Sequence, residues 1–326
     1  MICAFLVMVS LCVAGCATPS IKLFSDVSDP LKEYTLEGTG KGKVLLVPIV
    51  GVISDEPNEG LLRTRPSLVQ EVVSQLRRAE KNGDINAVVL KIDSPGGSVT
   101  ASDILYHEIS AFKKRTGATV VVSMMNVAAS GGYYISLPAD RIVAHPTTLT
   151  GSIGVIFLQP KVMGLMDKIG VSVEVDKSGT NKDMGSMFRQ RTTEEQALFQ
   201  ALIGQLAERF LDLTAEHRPL DAASMEKVAT ARVFLAQEAL SLKLVDDIGY
   251  LSDAVTAARQ LAGLTDNAKL VVYRRKRHAD DNFYNNTAMY APKQTPVSLS
   301  WSPDRFTESM LRSGFHYLWT ASPGLQ

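Results

Sequence analysis

Apolar and polar positions follow two periods along this chain, and the two periods take turns. Strand-like apolar runs cover Val44 to Val52, Ala87 to Ile92, Thr119 to Ser123, Arg141 to Val143 and Ile153 to Leu158, and Val171-Ser172-Val173-Glu174-Val175 alternates strictly. Helical spacing covers Pro66 to Lys81, Ala101 to Lys114, a segment around Ser130 and a stretch after Lys161. Such alternation predicts an α/β layered fold. Thr192-Thr193-Glu194-Glu195 reads as a capping box that opens a long helix to about His217. Further helices are predicted at Asp221 to Ala229, Gln237 to Leu242 and Leu251 to Ala262. Residues from Ile21 to about Lys41 are polar, carry Pro30, Gly38 and Gly40, and read as a tether. Beyond Leu264 the pattern fades into the basic run Arg274-Arg275-Lys276-Arg277-His278, an irregular stretch and an aromatic end that includes Phe315, Tyr317 and Trp319.

Composition narrows the setting. A hydrophobic content of 45% is enough for a substantial core, and a net charge of zero gives no reason to expect a nucleic-acid partner. The three cysteines, Cys3, Cys12 and Cys16, all fall in the first sixteen residues, so no disulfide is expected beyond them. Met1 to Ile21 carries no charge and reads as a secretory leader too short to span a bilayer. Within it, Val13-Ala14-Gly15-Cys16 looks like a bacterial lipobox, with lipid on Cys16; an ordinary signal peptide or an uncleaved anchor is the alternative. The expected layout is a signal peptide at 1–15, a tether at 16–41, a catalytic domain at 42–264 and an extension at 265–326. That domain would lie outside the cytoplasm, held to the membrane of a bacterial envelope.

Candidate chemistry centres on Asn126-Val127-Ala128-Ala129-Ser130-Gly131-Gly132-Tyr133-Tyr134, where one hydroxyl stands among residues too small to block it. Ser130 is the candidate nucleophile, and tight helix packing is the alternative reading of the same small residues. Asp93-Ser94-Pro95-Gly96-Gly97-Ser98 follows a buried strand pattern, and its glycines allow backbone amides to point outward. The amides of Gly97 and Gly131 are the candidate oxyanion hole. The same turn also reads as an ordinary strand-to-helix connection capped by Ser98 or Thr100. None of the five histidines, His107, His145, His217, His278 and His316, has glycine-rich surroundings. Two lysines, Lys177 and Lys182, do lie on a glycine-containing loop, and a lysine serves as a base where its neutral form is favoured. The chain lacks a His-x-x-x-His or Cys-x-x-Cys pattern and a phosphate-binding Gly-x-x-x-x-Gly-Lys run, so no metal or organic cofactor is expected.

Asp93-Ser94-Pro95-Gly96-Gly97, Ala128 to Tyr134, Thr150-Gly151-Ser152-Ile153-Gly154-Val155 and Lys177 to Asp183 together resemble the signal peptide peptidase A family in its short, single-repeat form. The likeness runs from about Gly42 to about Leu264; Met187, Ala231 and Lys243 depart from the family pattern outside the proposed chemistry. It implies a crotonase-like, Clp-protease-like fold of repeated ββα-type units and a Ser–Lys dyad. Ser130 corresponds to the nucleophile, Lys182 to the general base, Gly97 to the oxyanion-hole glycine and Ser152 to the serine that orients the lysine. It also implies hydrolysis of peptides such as cleaved signal peptides, and a homo-oligomeric ring, an octamer, in which serine and lysine of one site come from adjacent chains. Folds of this kind also host acyl-CoA chemistry and inactive scaffolds. An envelope scaffold or binding protein is the competing reading.

Overall fold

The apolar run at Val44 becomes the middle of a sheet. In the computed structural model, which describes residues 29–59, 64–286 and 314–319, strands β1 (Lys32–Glu37) and β2 (Gly40–Val50) come first, then the small pair β3 (Asn58–Glu59) and β4 (Thr64–Arg65). Helix α1 (Leu68–Lys81) leads to β5 (Ile85–Ser94), the short β6 (Gly96–Ser98), α2 (Val99–Thr116) and β7 (Thr119–Ala129). After α3 (Gly131–Tyr134) come β8 (Arg141–Ala144), β9 (Leu149–Gly151), β10 (Ile156–Leu158) and α4 (Met163–Ile169). The remainder is α5 (Thr193–His217), α6 (Ala222–Ala229), β11 (Val233–Leu235), α7 (Ala236–Ser241), β12 (Asp247–Ile248), α8 (Leu251–Leu261), β13 (Ala268–Arg274) and β14 (Gly314–Leu318).

The main sheet has the order β1-β13-β2-β5-β7-β8-β12, and β9 joins the far end of β7 while carrying β11. Every pair from β13 to β12 runs parallel, as does β7 with β9. Parallel strands are buried on both faces, which explains why their sequences read as continuous apolar runs. In β2, Leu45, Val47 and Ile49 face Val72, Leu76, Leu105, Ile109 and Phe112 of α1 and α2, while Val44 and Leu46 face the other side. There they meet Leu251, Ala254, Val255 and Ala258, the apolar stripe of α8. Sequence reading and structure therefore agree on an α/β layered fold. No helix among the described residues is long and apolar enough to cross a membrane.

Helix starts are fixed by side chains. Ser67 accepts from the Gln70 amide at 3.1 Å, and Ser98 accepts from the Ala101 amide at 3.1 Å, so the capping role read for Ser98 is realised. Thr192 and Glu195 complete the capping box of α5, with both bonds at 3.1 Å.

Four expectations need correction. Residues 32–37, read as part of a tether, form β1, and residues 268–274, beyond the expected domain limit at 264, form β13 between β1 and β2. Both belong to the sheet, because β13 supplies the parallel partner that covers β2. The helix expected around Ser130 is the single turn α3; Ala128 and Ala129 close β7 instead. Val171 to Val175 forms no strand, because no strand among the described residues pairs with it, and its three valines are about half exposed. The leader, the lipobox and Cys16 lie outside the described residues.

Candidate active site

Ser130 stands where β7 ends and α3 begins, with φ 53° and ψ −117°, a backbone conformation that a residue bearing a Cβ adopts only when its surroundings impose it. The imposition is visible. β7 pairs with β9 through Ala129 and Gly151, and the Ser130 amide donates to the Gly151 carbonyl at 2.8 Å. Ser152 follows β9 as Ser130 follows β7, and it too has positive φ, 52°. Two parallel strands thus end side by side on two strained serines. The Ser152 amide is held by the Arg232 carbonyl at 2.8 Å. The Ser130 hydroxyl neither caps α3 nor bonds to another described residue, which leaves its lone pairs and proton uncommitted.

The glycines around Ser130 are required by contact with backbone. A Cβ on Gly131 would stand 3.1 Å from the Gly96 Cα, and a Cβ on Gly96 would stand 2.7 Å from the Gly131 amide nitrogen. A Cβ on Gly132 would fall 2.6 Å from the Ser94 carbonyl oxygen, and one on Gly97 would fall 1.9 Å from that of Ile53. The turn after β5 and the start of α3 therefore lie against one another. Ser94 pins that turn, its hydroxyl donating to the Gly51 carbonyl at 2.6 Å and accepting from the Gly96 amide at 3.1 Å. Ser130, Gly131, Gly97 and Ser152 are brought to one end of the sheet.

Lys182 is not brought to them by a bond. It lies exposed in a loop between α4 and α5, its amide donating to the Gly179 carbonyl at 3.1 Å, and its ammonium has no partner among the described residues. The loop itself is well braced. Asp183 takes the Lys177 ammonium at 2.8 Å and the Arg189 guanidinium at 2.7 Å, and Arg189 continues to Glu195 at the start of α5. Arg189 and then Lys177 hold the Asp183 carboxyl well below the usual carboxylate range. Lys177 is thereby a bracing residue. Leu165, Ile169, Val171, Val173 and Val175 leave the same region with an exposed apolar surface. The buried lysine of the described chain is Lys91 on β5, whose ammonium donates to the Phe283 carbonyl at 2.9 Å. Burial, helped by nearby Arg274, pulls it down to about 8.

Sequence reading passed over the aromatic wall beside Ser130. Tyr134, four residues on, packs edge-on against Phe210 of α5 with centroids 4.8 Å apart, and its hydroxyl donates to Asp103 at 2.6 Å. Arg209 donates to the same carboxylate oxygen of Asp103, Oδ1, at 2.7 Å. Burial alone would raise the Asp103 carboxyl, but the Tyr134 hydroxyl and Arg209 outweigh it and hold it low. The Tyr-Tyr pair after the glycines was the available signal. Its meaning depended on Phe210, which comes from a distant helix.

An uncommitted hydroxyl on a strained turn at the end of a parallel sheet, with glycine backbone packed beside it, fits a serine peptidase of α/β type. The sequence model of peptidase family S49 matches residues 112–265, and that of Clp protease matches residues 64–151. The chain is 32% identical to a putative signal peptide peptidase SppA of Enterococcus faecium, over 78% of this chain and 73% of that one. It is 33% identical to Protease 4 of Haemophilus influenzae and 34% identical to the chloroplastic serine protease SPPA of Arabidopsis thaliana, over 79% and 76% of this chain. It spans only 40% and 36% of those two longer relatives. The chain belongs to the signal peptide peptidase A family, peptidase family S49, and has the Clp-protease-like fold.

Proposed function

We propose that this serine protease is an endopeptidase with a Ser130–Lys182 dyad, acting on cleaved signal peptides or other short peptides of the bacterial envelope. The observation that carries the reading is the uncommitted Ser130 hydroxyl on a strained strand-to-helix turn, beside the packed backbone of Gly96, Gly97 and Gly131. Neutral Lys182 takes the hydroxyl proton as Ser130 Oγ bonds to the peptide carbonyl carbon. The amides of Gly97 and Gly131 receive the carbonyl oxygen as it gains charge. The C–N bond then breaks, and the lysine returns its proton to the leaving amine. Water adds to the acyl-enzyme by the same route, with Lys182 again the base, and Ser152 orients the lysine.

The lysine comes from a neighbouring copy. Support lies in the exposed Lys182 and in the half-exposed valines of the same arm, which pair with no strand among the described residues of their own chain. A closed ring of copies, an octamer by family resemblance, places each arm beside the next chain's Ser130. Cys16 carries the lipid that holds the ring at the membrane.

The test is labelling by a serine-reactive phosphonate together with cleavage of synthetic signal-peptide fragments. Wild type labels and cleaves, whereas Ser130→Ala and Lys182→Ala lose at least about a thousandfold in rate, the scale on which triad members act. Equal labelling and cleavage in all three would remove the dyad. An assembled wild type that does neither is a scaffold.

A further inference from the structure

β7 is not a continuous partner for β5. Ile92 pairs with Met124 but Ser94 pairs with Ala128, so a single residue of β5, Asp93, faces three of β7, Met125 to Val127. The strand bulges there and changes its other neighbour: Val121 to Met124 pair with β8, whereas Val127 to Ala129 pair with β9. The bulge ends three residues before Ser130. Where it sends the strand therefore decides where the hydroxyl stands.

A bulge leaves backbone groups without ladder partners, and a buried one must find them elsewhere. Three side chains supply them. Asp93 Oδ1 accepts from the Val127 amide at 3.1 Å. Thr148, wholly buried just before β9, shares its hydroxyl proton between the Met124 carbonyl at 3.0 Å and the Met125 carbonyl. Thr150, wholly buried within β9, donates to the Ala128 carbonyl at 2.6 Å. The bulge is thus tied on one side to β5 and on the other to the segment that leads into Ser152. Burial raises the Asp93 carboxyl above the ordinary carboxylate value, and the Val127 amide and the Lys91 ammonium offset only part of that. An acceptor is held there against the cost of burying it.

We propose that Asp93, Thr148 and Thr150 are positioning residues for Ser130: their bonds fix the bulge of β7, and the bulge carries the nucleophile's turn onto β9, beside Ser152. This rests on the peptidase reading above. The three act through the turn, not on the peptide. Because a displacement of about 1 Å at a reacting group costs up to about a hundredfold in rate, the bonds govern turnover rather than affinity.

The test separates hydrogen bonding from volume at one position. In the full chain, Thr150→Val keeps the branched shape and loses the hydroxyl, whereas Thr150→Ser keeps the hydroxyl and loses a methyl group. Thr150→Val is expected to lower kcat on a synthetic signal-peptide fragment, and the rate of phosphonate labelling, by about tenfold or more, with KM within about threefold of wild type. Thr150→Ser is expected to stay within about threefold of wild type in all three. Asp93→Asn, which keeps an acceptor for the Val127 amide, is expected to turn over at least about tenfold faster than Asp93→Ala. A readout that needs no turnover is hydrogen exchange of the Ser130 amide, expected to be about tenfold faster in Thr150→Val than in Thr150→Ser. Losses that follow volume, with Thr150→Ser the worse, losses in KM alone, or four variants that match the wild type would overturn the inference and leave the peptidase reading standing. A wild type that neither labels nor cleaves would sink that reading instead. Exchange then decides the tether: a faster Ser130 amide in Thr150→Val upholds it, and equal rates overturn it.

Discussion

Ser130 carries a backbone cost that a glycine would not. A residue with a Cβ in a sparsely populated conformation costs about 1–3 kcal/mol, partly offset by the greater freedom a glycine has when unfolded. Ser130→Gly is therefore expected to be about 1 kcal/mol more stable than Ser130→Ala in denaturant titration, with both variants inactive. The small residues about Ser130 were legible in the sequence. The reason each must be small was not, since Gly96 meets Gly131 and Gly97 meets Ile53 only after the strands assemble. Lys91 supplies a second expectation. Its folded pKa, about 8, lies below that of an unfolded lysine, so the unfolded chain binds more protons between about 8 and 10.5 and stability rises with pH across that window. Buried Tyr133, Tyr273 and Tyr317 are raised and oppose this once unfolded tyrosines ionise near pH 10. Between pH 8 and 9.5 the wild type should gain about 1–2 kcal/mol, and Lys91→Met should show no such gain.

Elements were read best where their signals are local. The α5 start, Thr192 to Glu195, was visible because a capping box occupies four consecutive residues, and it exists in the fold. Thr192→Ala removes the acceptor for the Glu195 amide and is expected to cost about 1 kcal/mol by chemical denaturation. Because Glu195 also holds Arg189, and Arg189 holds Asp183, the same change should loosen the Lys182 loop, read as faster hydrogen exchange at residues 177–189. Elements that depend on distant partners were misjudged. β1 and β13 stabilise one another across more than two hundred residues of chain, so neither flank looked structured alone. Val171 to Val175 shows the converse error. Alternation reports one apolar face, and a strand also needs an edge to pair with.

At the scale of the whole molecule, the layered sheet brings the proposed nucleophile and the proposed oxyanion amides together, while the proposed base stays apart on its arm. Mixing Ser130→Ala with Lys182→Ala under subunit exchange is expected to restore part of the activity, since a quarter or so of random neighbour pairs would join an intact serine to an intact lysine. Val173→Asp puts a charge on the arm's apolar surface and is expected to shift the protein to smaller species in size-exclusion chromatography, with activity falling in parallel. The lone ammonium of Lys182 then has a consequence in amount rather than in geometry. An enzyme whose two reacting groups arrive on different copies has no activity that scales simply with its quantity. Under the proposed shared dyad, specific activity should fall steeply on dilution below the assembly range and return on concentration, so local density rather than total amount would set the rate of cleavage.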